Sequence, residues 1–179
     1  HQEGGIRIPY ILSWPAELEG NHRLDTLVSS LDLMATFTAA AGQEAETEDS
    51  VNLIPYLKRE VEGNPHEYLY WRSGATMAIR DERWKLIKFK ISNFDDEAVD
   101  STGRLTAPSN GWPVDAPLGH KVVLYDLVND PGETINLAEE YTDVVESLDA
   151  EYSQWNAQLP QASEAILPGM RSIQTEIDG

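Results

Sequence analysis

Few side chains in this sequence combine the type and the spacing that catalysis requires. The chain has no cysteine, which excludes disulfides, cysteine-ligated zinc and a thiol nucleophile within its 179 residues. Its four histidines are scattered and lack the spacing of metal ligands, so each is expected on the surface or in a supporting role. They are His1, His22, His66 and His120. The histidine spacing therefore gives no indication of a metal site within this chain.

Basic residues are concentrated in one stretch of a strongly acidic chain. The sequence has 31 Asp and Glu against 13 Lys and Arg, a net charge of −18, which argues against a nucleic-acid-binding protein. Five basic residues nevertheless lie close together: Arg80, Arg83, Lys85, Lys88 and Lys90. Alternation along a strand places Lys85 and Lys88 on opposite faces, so the five do not form a single anion-binding surface. Pairing with the acidic C-terminal helix is expected instead.

Apolar patterns predict an α/β unit in the first third of the chain. Residues 6–14 form a nearly continuous apolar run, typical of a strand covered on both faces, and Pro9 places it at an edge or bulge. Apolar residues at helical spacing follow over 24–41, with Gly42 at the C′ position, and a short helical turn is predicted over 51–57. One strand and one helix cannot make a sheet, so apolar surface is expected to stay exposed around 6–14.

The rest of the chain is predicted to be an antiparallel sheet packed on a helix. Four segments rich in aromatic and β-branched residues are bounded by turn residues, at 67–72, 76–80, 84–91 and 121–127. A long loop with several prolines and glycines spans 92–120. Residues 130–133 have the pattern of a type II turn, and an apolar stripe from Tyr141 to Leu159 predicts an amphipathic helix with Asn136 as N-cap. The predicted fold class is α/β, with an α+β smaller part.

Five short motifs occur in order between residues 3 and 140. They are Glu3-Gly4-Gly5-Ile6-Arg7-Ile8-Pro9 with Trp14-Pro15; the segment 27–36; Val51-Asn52-Leu53-Ile54-Pro55-Tyr56-Leu57; Arg80-Asp81-Glu82-Arg83-Trp84-Lys85-Leu86-Ile87; and Leu124-Tyr125-Asp126-Leu127 with Asp130-Pro131-Gly132-Glu133 and Asn136-Leu137-Ala138. Each motif alone is weak, but together they resemble the C-terminal portion of a formylglycine-dependent (type I) sulfatase of the alkaline-phosphatase-like superfamily. Ala35 stands where that family usually has proline.

The resemblance implies that the catalytic groups lie upstream of this segment. Family members hydrolyse sulfate esters with calcium and with a formylglycine made in a Cys/Ser-x-Pro-x-Arg motif. Here the nearest match begins at Ser13 and has Glu17 in the arginine position. The family's calcium ligands and sulfate-binding lysine would also precede His1. Calcium and formylglycine are therefore expected in an upstream part and not in this segment, which is expected to be inactive in isolation.

The resemblance also indicates which residues of this segment would shape the substrate pocket. The loop after Arg72 and Ser73 reaches the pocket rim in the family. An arginine there would suit binding of an anionic group of the substrate, and a structural ion pair of Arg72 is the alternative. In the long loop, Trp112 would stack on a sugar and His120 would donate at its edge, unless Trp112 belongs to a small separate core. Gly4 and Gly5 are expected near the active site, although a simple bend is the alternative reading.

The sequence as a whole is thus interpreted as the C-terminal part of a sulfuric ester hydrolase. Residues 1–60 would supply the last strand and helix of the large alkaline-phosphatase-like domain, and residues 61–179 the smaller subdomain. Its expected partners are that upstream domain and a sulfated small molecule or carbohydrate. No apolar run reaches the roughly 20 residues of a membrane span, and family members are usually exported to the periplasm or the extracellular space. A non-catalytic module that binds glycans or partners, and a phosphate-ester hydrolase of the same superfamily, are the alternatives.

Overall fold

Three short helices, a four-stranded sheet and a long helix make up the described part of the chain. The computed structural model describes residues 2–43, 49–73, 76–92 and 118–159. The elements are α1 (Glu3–Ile6), α2 (Asp32–Ala40), α3 (Ile54–Leu57), β1 (Leu69–Ser73), β2 (Thr76–Arg80), β3 (Trp84–Ser92), β4 (Leu118–Asp126) and α4 (Thr142–Gln158).

The four strands form one antiparallel sheet in the order β1-β2-β3-β4. All four predicted strands are confirmed, β2 with the predicted bounds and β4 with an earlier start at Leu118. At one end of the sheet Arg80 lies opposite Lys85, and Lys85 lies opposite Tyr125. The turn between β2 and β3 forms without glycine. It is stabilised by the carboxylate of Asp81, which accepts the backbone amides of Arg83 and Trp84 at 2.7 and 2.5 Å.

Alternating side chains bury both faces of this sheet. On one face Ile79, Leu86 and Leu124 pack against Leu148 and Tyr152 of α4. The predicted apolar stripe on the C-terminal helix is therefore confirmed as a packing surface. On the other face a second cluster consists of Ala78, Ile87, Val123 and Tyr125, with Trp71 and Leu127 packed against it. Lys85 is fully buried and shares this second face, because it is two residues from Ile87 along β3.

The strand predicted over residues 6–14 is not formed. Glu3–Ile6 makes one turn of helix, and residues 7–14 have no regular structure. A strand needs a partner to satisfy its backbone groups, and no strand of the described residues runs beside this segment, in which Pro9 also lacks an amide hydrogen. The expected exposure of apolar side chains is confirmed, since Ile8 is 61% and Ile11 90% exposed.

The helix predicted over residues 24–41 is shorter than its apolar pattern. It begins only at Asp32, whose carboxylate accepts the backbone amide of Ser29 at 2.7 Å and so holds the preceding turn outside the helix. Its end is as predicted: Gly42 has a φ of +74°, and its amide donates to the carbonyl of Ala39 at 2.9 Å. The short helix predicted over 51–57 is confirmed as α3.

Two details of the predicted C-terminal half are wrong. The turn at residues 130–133 closes with a 3.1 Å bond from the Glu133 amide to the Asp130 carbonyl, but Glu133, not Gly132, has the positive φ of 55°. It is therefore not a type II turn. Asn136 does not cap α4, which begins six residues later at Thr142. Its side-chain oxygen instead accepts the amides of Leu124 and Ala138, both at 3.0 Å, which ties this segment to β4.

Candidate functional site

Three of the predicted substrate-binding residues lie at the same end of the sheet. Ser73 pairs with Thr76 and, one step further along the strands, Lys90 pairs with His120. With about 4.8 Å between neighbouring strands, the backbones of Ser73 on β1 and His120 on β4 lie on the order of 14 Å apart. The side chains of Ser73 and His120 are outside the described part of the structure, as are Trp112 and the rest of residues 93–117.

Arg72 lies on the α4 side of the sheet and has an exposed side chain. Its Nη1 donates to the side-chain oxygen of Asn156 at 2.8 Å, which connects β1 to the end of α4. Beside it, the rings of Tyr70 and Trp155 stack at 4.7 Å with an interplanar angle of 7°. The guanidinium is thus held by Asn156 on the α4 side of the sheet.

Gly4 and Gly5 lie at the opposite end of the sheet from those residues. They belong to α1, whose Glu3 contacts Arg80 and Lys85, and the Arg80 row is four residues, or about 13 Å, from the Ser73 row. Both glycines are exposed, and a Cβ at either would meet nothing within 4 Å. The described residues therefore do not bring Gly4 and Gly5 together with Arg72, Ser73 and His120.

A buried ion network joins α1 to the sheet. The carboxylate of Glu3 contacts Lys85 Nζ at 3.1 Å through Oε1 and Arg80 Nη1 at 3.0 Å through Oε2. Lys85 Nζ also lies 2.8 Å from Oε1 of Glu133, and Oε2 of Glu133 accepts the backbone amide of Glu3 at 2.7 Å. Glu3, Lys85 and Glu133 are 7%, 0% and 4% exposed. Two cations and two carboxylates balance one another, which is the condition for burying charge at this depth.

Sequence reasoning missed this network, although one pattern in the sequence pointed to it. Lys85 shares a face of β3 with Ile87, and a lysine on a buried face needs carboxylate partners. Among the basic residues with described side chains, the expected pairing with the C-terminal helix holds only for Lys88, whose Nζ lies 2.6 Å from Asp149. Arg80 and Lys85 pair with α1 and the turn at Glu133, and the side chain of Lys90 lies outside the described part.

Arg83 pairs with Asp126 at the end of β4. Its Nη2 lies 2.8 Å from the carboxylate of Asp126, which also accepts the side-chain amide of Asn129 at 2.9 Å. The hydrogen bond from Arg83, followed by those from Asn129, lowers the pKa of Asp126 from 3.8 to about 2, against the opposing effect of burial.

Acid should remove the stability that Asp126 contributes. Because its pKa is lower in the folded chain than in the unfolded chain, the contribution is complete above pH 4 and is lost as the pH falls to about 2. We expect Asp126→Asn to unfold at lower urea concentration than the unaltered chain at pH 7, and the two to converge towards pH 2. The exposed Asp25→Asn serves as control. A midpoint difference that stays constant from pH 7 to pH 2 would contradict the assignment.

Two of the four histidines have described side chains, and both bind protein groups. Nε2 of His66 lies 2.8 and 2.9 Å from the two oxygens of the fully buried Asp32. His22 contacts the guanidinium of exposed Arg59. No group of three or more His, Asp or Glu side chains among the described residues is arranged to hold a metal ion. In the same part of the chain, no helix has the length and apolar character to cross a membrane.

A cleft of about 850 Å³ separates the N-terminal segment from the sheet. Its lining is mixed, with the carboxylate of Glu3, the imidazole of His66 and the rings of Tyr10, Tyr70 and Trp155. The hydroxyl of Tyr10 is buried and has no hydrogen-bond partner within the described structure. The cleft therefore lies beside the ion network, since Glu3 and Arg80 also line it.

The chain also matches known proteins in sequence. A family model for the C-terminal region of aryl-sulfatase matches residues 64–175. The chain belongs to this family. Steryl-sulfatase of Mus musculus is 25% identical over 184 residues, covering 93% of this chain and 28% of that protein. The ulvan-active sulfatase of Formosa agariphila is 27% identical over 168 residues, covering 84% of this chain and 33% of that protein.

Solved structures agree with this aryl-sulfatase C-terminal region in fold. A sulfatase structure from work on glycosaminoglycan metabolism by Bacteroides thetaiotaomicron superimposes with a TM-score of 0.62 and 26% sequence identity, covering 87% of this chain and 30% of that one. The predicted small antiparallel sheet packed on a helix is thereby confirmed as a sulfatase architecture. The chain spans about 30% of the length of these relatives. The predicted division near residue 60 stays a prediction.

Proposed function

We propose that this chain is the C-terminal part of an enzyme that hydrolyses sulfate esters of a carbohydrate or an aryl alcohol. The observation that carries the proposal is the family match over residues 64–175, within a chain that spans only about 30% of its sulfatase relatives. The alternatives of a phosphate-ester hydrolase and a non-catalytic binding module have no comparable support.

In this proposal the chain shapes the substrate pocket and the upstream part supplies the chemistry. Cleaving a sulfate ester needs a strong nucleophile, stabilisation of charge on the sulfate oxygens and an acid for the leaving alcohol. As the family resemblance implies, formylglycine and calcium would both be supplied by the upstream part. Arg72, Ser73 and His120 at one end of the sheet, together with Trp112 of residues 93–117, would contact the substrate.

The parent enzyme is placed in the periplasm or outside the cell, as the family resemblance implies. Its partners would be the sulfated substrate and the upstream sulfatase domain. That domain would also cover the exposed apolar side chains of Ile8 and Ile11.

The proposal is tested with the complete protein encoded by the gene that contains this chain. We expect turnover of an aryl sulfate or of a sulfated oligosaccharide, and none from the 179-residue chain alone. Faster release of the aryl alcohol from the matching aryl phosphate than from the aryl sulfate would favour the phosphate-ester alternative. Binding of a glycan without turnover of any ester would favour the binding module.

Replacing Arg72 with alanine in the complete protein should weaken binding of an anionic sugar more than binding of a small aryl sulfate. A lost charge-assisted hydrogen bond raises KM for the sulfated oligosaccharide by about tenfold or more, with little change in kcat. Arg23→Ala is the matched control, because Arg23 is exposed and pairs only locally with Asp25. Equal KM values for Arg72→Ala and the unaltered enzyme on both substrates would contradict a substrate contact.

A further inference from the structure

The α2 helix has a buried face and, on its other side, an exposed apolar face. Three of its residues are buried: Asp32, Ala35 and Thr36. Three large apolar side chains on the other side are 57%, 62% and 57% exposed: Leu31 at the N-cap position, Met34 and Phe37. The two sets lie on opposite sides because successive residues of a helix are rotated by about 100°. An apolar face of this kind is normally covered by a second layer of structure.

The cleft between the N-terminal segment and the sheet continues this surface. Leu31 lines the cleft together with Ile8, whose side chain is also exposed. Two further lining residues, Tyr10 and Thr26, have buried hydroxyls without a hydrogen-bond partner in the described part of the chain. Buried hydroxyls are nearly always hydrogen-bonded. The outer face of α2 and this cleft together form the docking surface, which lacks both an apolar cover and a hydrogen-bonding group.

The relatives indicate what covers the docking surface. The family model that matches describes a C-terminal region, and this chain spans 28% and 33% of two sulfatases to which it is similar. In such a protein the greater part precedes the matched region. The exposed apolar side chains of the docking surface all lie in residues 8–37, before the family match begins at residue 64. The docking surface thus belongs to the portion of the chain that is nearest in sequence to the upstream part.

A second copy of this chain fits the docking surface less well. A two-fold contact between copies uses the same surface on both partners. Two clefts of about 850 Å³ would then face each other and stay open. The net charge of −18 also makes two copies repel each other.

We infer that the upstream part of the same protein covers the docking surface, packing apolar side chains on Leu31, Met34 and Phe37 and inserting a hydrogen-bonding segment into the cleft. The inserted segment supplies the missing partners of the Tyr10 and Thr26 hydroxyls. The inference rests on the proposed function, since only a longer enzyme has such an upstream part. It goes beyond that function by making α2 the helix through which this chain is joined to the rest of the enzyme.

Cysteine labelling in the complete protein tests whether the outer face of α2 is covered. Phe37→Cys and Met34→Cys each place a thiol on that face, in a chain that has no cysteine of its own. Because a buried thiol is inert, alkylation of both should be at least about tenfold slower than alkylation of Glu146→Cys, at an exposed position of α4. Each rate is measured by mass spectrometry of the labelled peptide and divided by the rate in urea. Alkylation of either thiol at the rate of Glu146→Cys would overturn the inference.

Photo-crosslinking in the complete protein identifies what covers the surface. Benzoylphenylalanine in place of Phe37 or Ile8 should cross-link to peptides that precede this chain in the same molecule. Mixing isotopically light and heavy protein separates links within one molecule from links between copies. Light–heavy links would assign the surface to a second copy, and links to residues 93–117 or 160–179 would assign it to this chain itself. Either result, or the absence of any link, overturns the inference.

Failure of the docking surface is distinguishable from failure of the proposed function. A complete protein that cleaves no sulfate ester but protects Phe37→Cys from alkylation would refute the sulfatase reaction and leave the docking surface intact. An active enzyme with a freely alkylated Phe37→Cys would keep the reaction and overturn the docking surface.

Discussion

Lys85→Met should lower the free energy of unfolding of this chain by about 3–5 kcal/mol, the usual cost of removing one partner from a buried ion pair. The side chain of Lys85 is 0% exposed and lies within 3.1 Å of two carboxylates. Methionine fills a similar volume but leaves those carboxylates with Arg80 as their remaining cation. Water cannot replace the lost ammonium group at this depth. Urea unfolding followed by tryptophan fluorescence measures the loss.

Lys88→Met is the matched control for that prediction. It is the same substitution on the same strand, but Lys88 faces α4 and pairs with Asp149, with side chains 18% and 36% exposed. Partly exposed pairs of this kind contribute about 1 kcal/mol or less. A loss for Lys85→Met no larger than that for Lys88→Met would show that the network contributes no more than an ordinary surface pair.

Local composition was enough to predict the strands. The β2 segment, residues 76–80, has the predicted bounds because turn residues flank a short stretch that contains the β-branched Thr76 and Ile79. The same is true of α4, where the three- and four-residue spacing of Leu148 and Tyr152 matches the face that packs on β2 and β3. In both cases the information lies within about ten residues of sequence.

Elements that depend on distant partners were predicted less well. An apolar run such as 6–14 is compatible with a buried strand, but the backbone becomes a strand only beside another one, and the described residues provide none. Asn136 has the chemistry of an N-cap, yet its oxygen accepts the amide of Leu124 from β4 instead. The residue type alone is compatible with both roles of Asn136, and the contact with β4 determines which one it takes.

The candidate site and the ion network also depend on contacts between residues that are distant in sequence. Antiparallel connectivity places Ser73 and His120 at one end of the sheet. Glu3 and Glu133, by contrast, are 130 positions apart in sequence and meet only because the sheet carries Lys85 between them. No local pattern relates those two glutamates, and the second was predicted only as part of a turn.

Replacing Asp32 with alanine should lower the free energy of unfolding by about 3–4 kcal/mol, since the partly buried amides of Ser29 and Val51 lose their acceptor and His66 loses its carboxylate partner. Asp32 is fully buried, and its two oxygens accept the amides of Ser29 and Val51 at 2.7 and 2.9 Å. Both oxygens also lie within 2.9 Å of Nε2 of His66, just before the sheet. One carboxylate thus connects three separate segments, and urea unfolding of Asp32→Ala measures their joint dependence on it.

Asp143→Ala is the control, because Asp143 also lies in the first turn of a helix but is exposed. Its favourable position near the helix N-terminus is expected to contribute only a few tenths of a kcal/mol to the free energy of unfolding. Asp32→Asn should fall between the two, since it keeps the volume and one acceptor oxygen but turns an amide group towards the N–H donors. Equal losses for Asp32→Ala and Asp143→Ala would mean that the three segments hold together without this carboxylate. A larger loss for Asp32→Ala than for Asp143→Ala would instead identify Asp32 and His66 as a polar link between the N-terminal helices and the sheet. This link is separate from the one that Glu3, Lys85 and Glu133 provide.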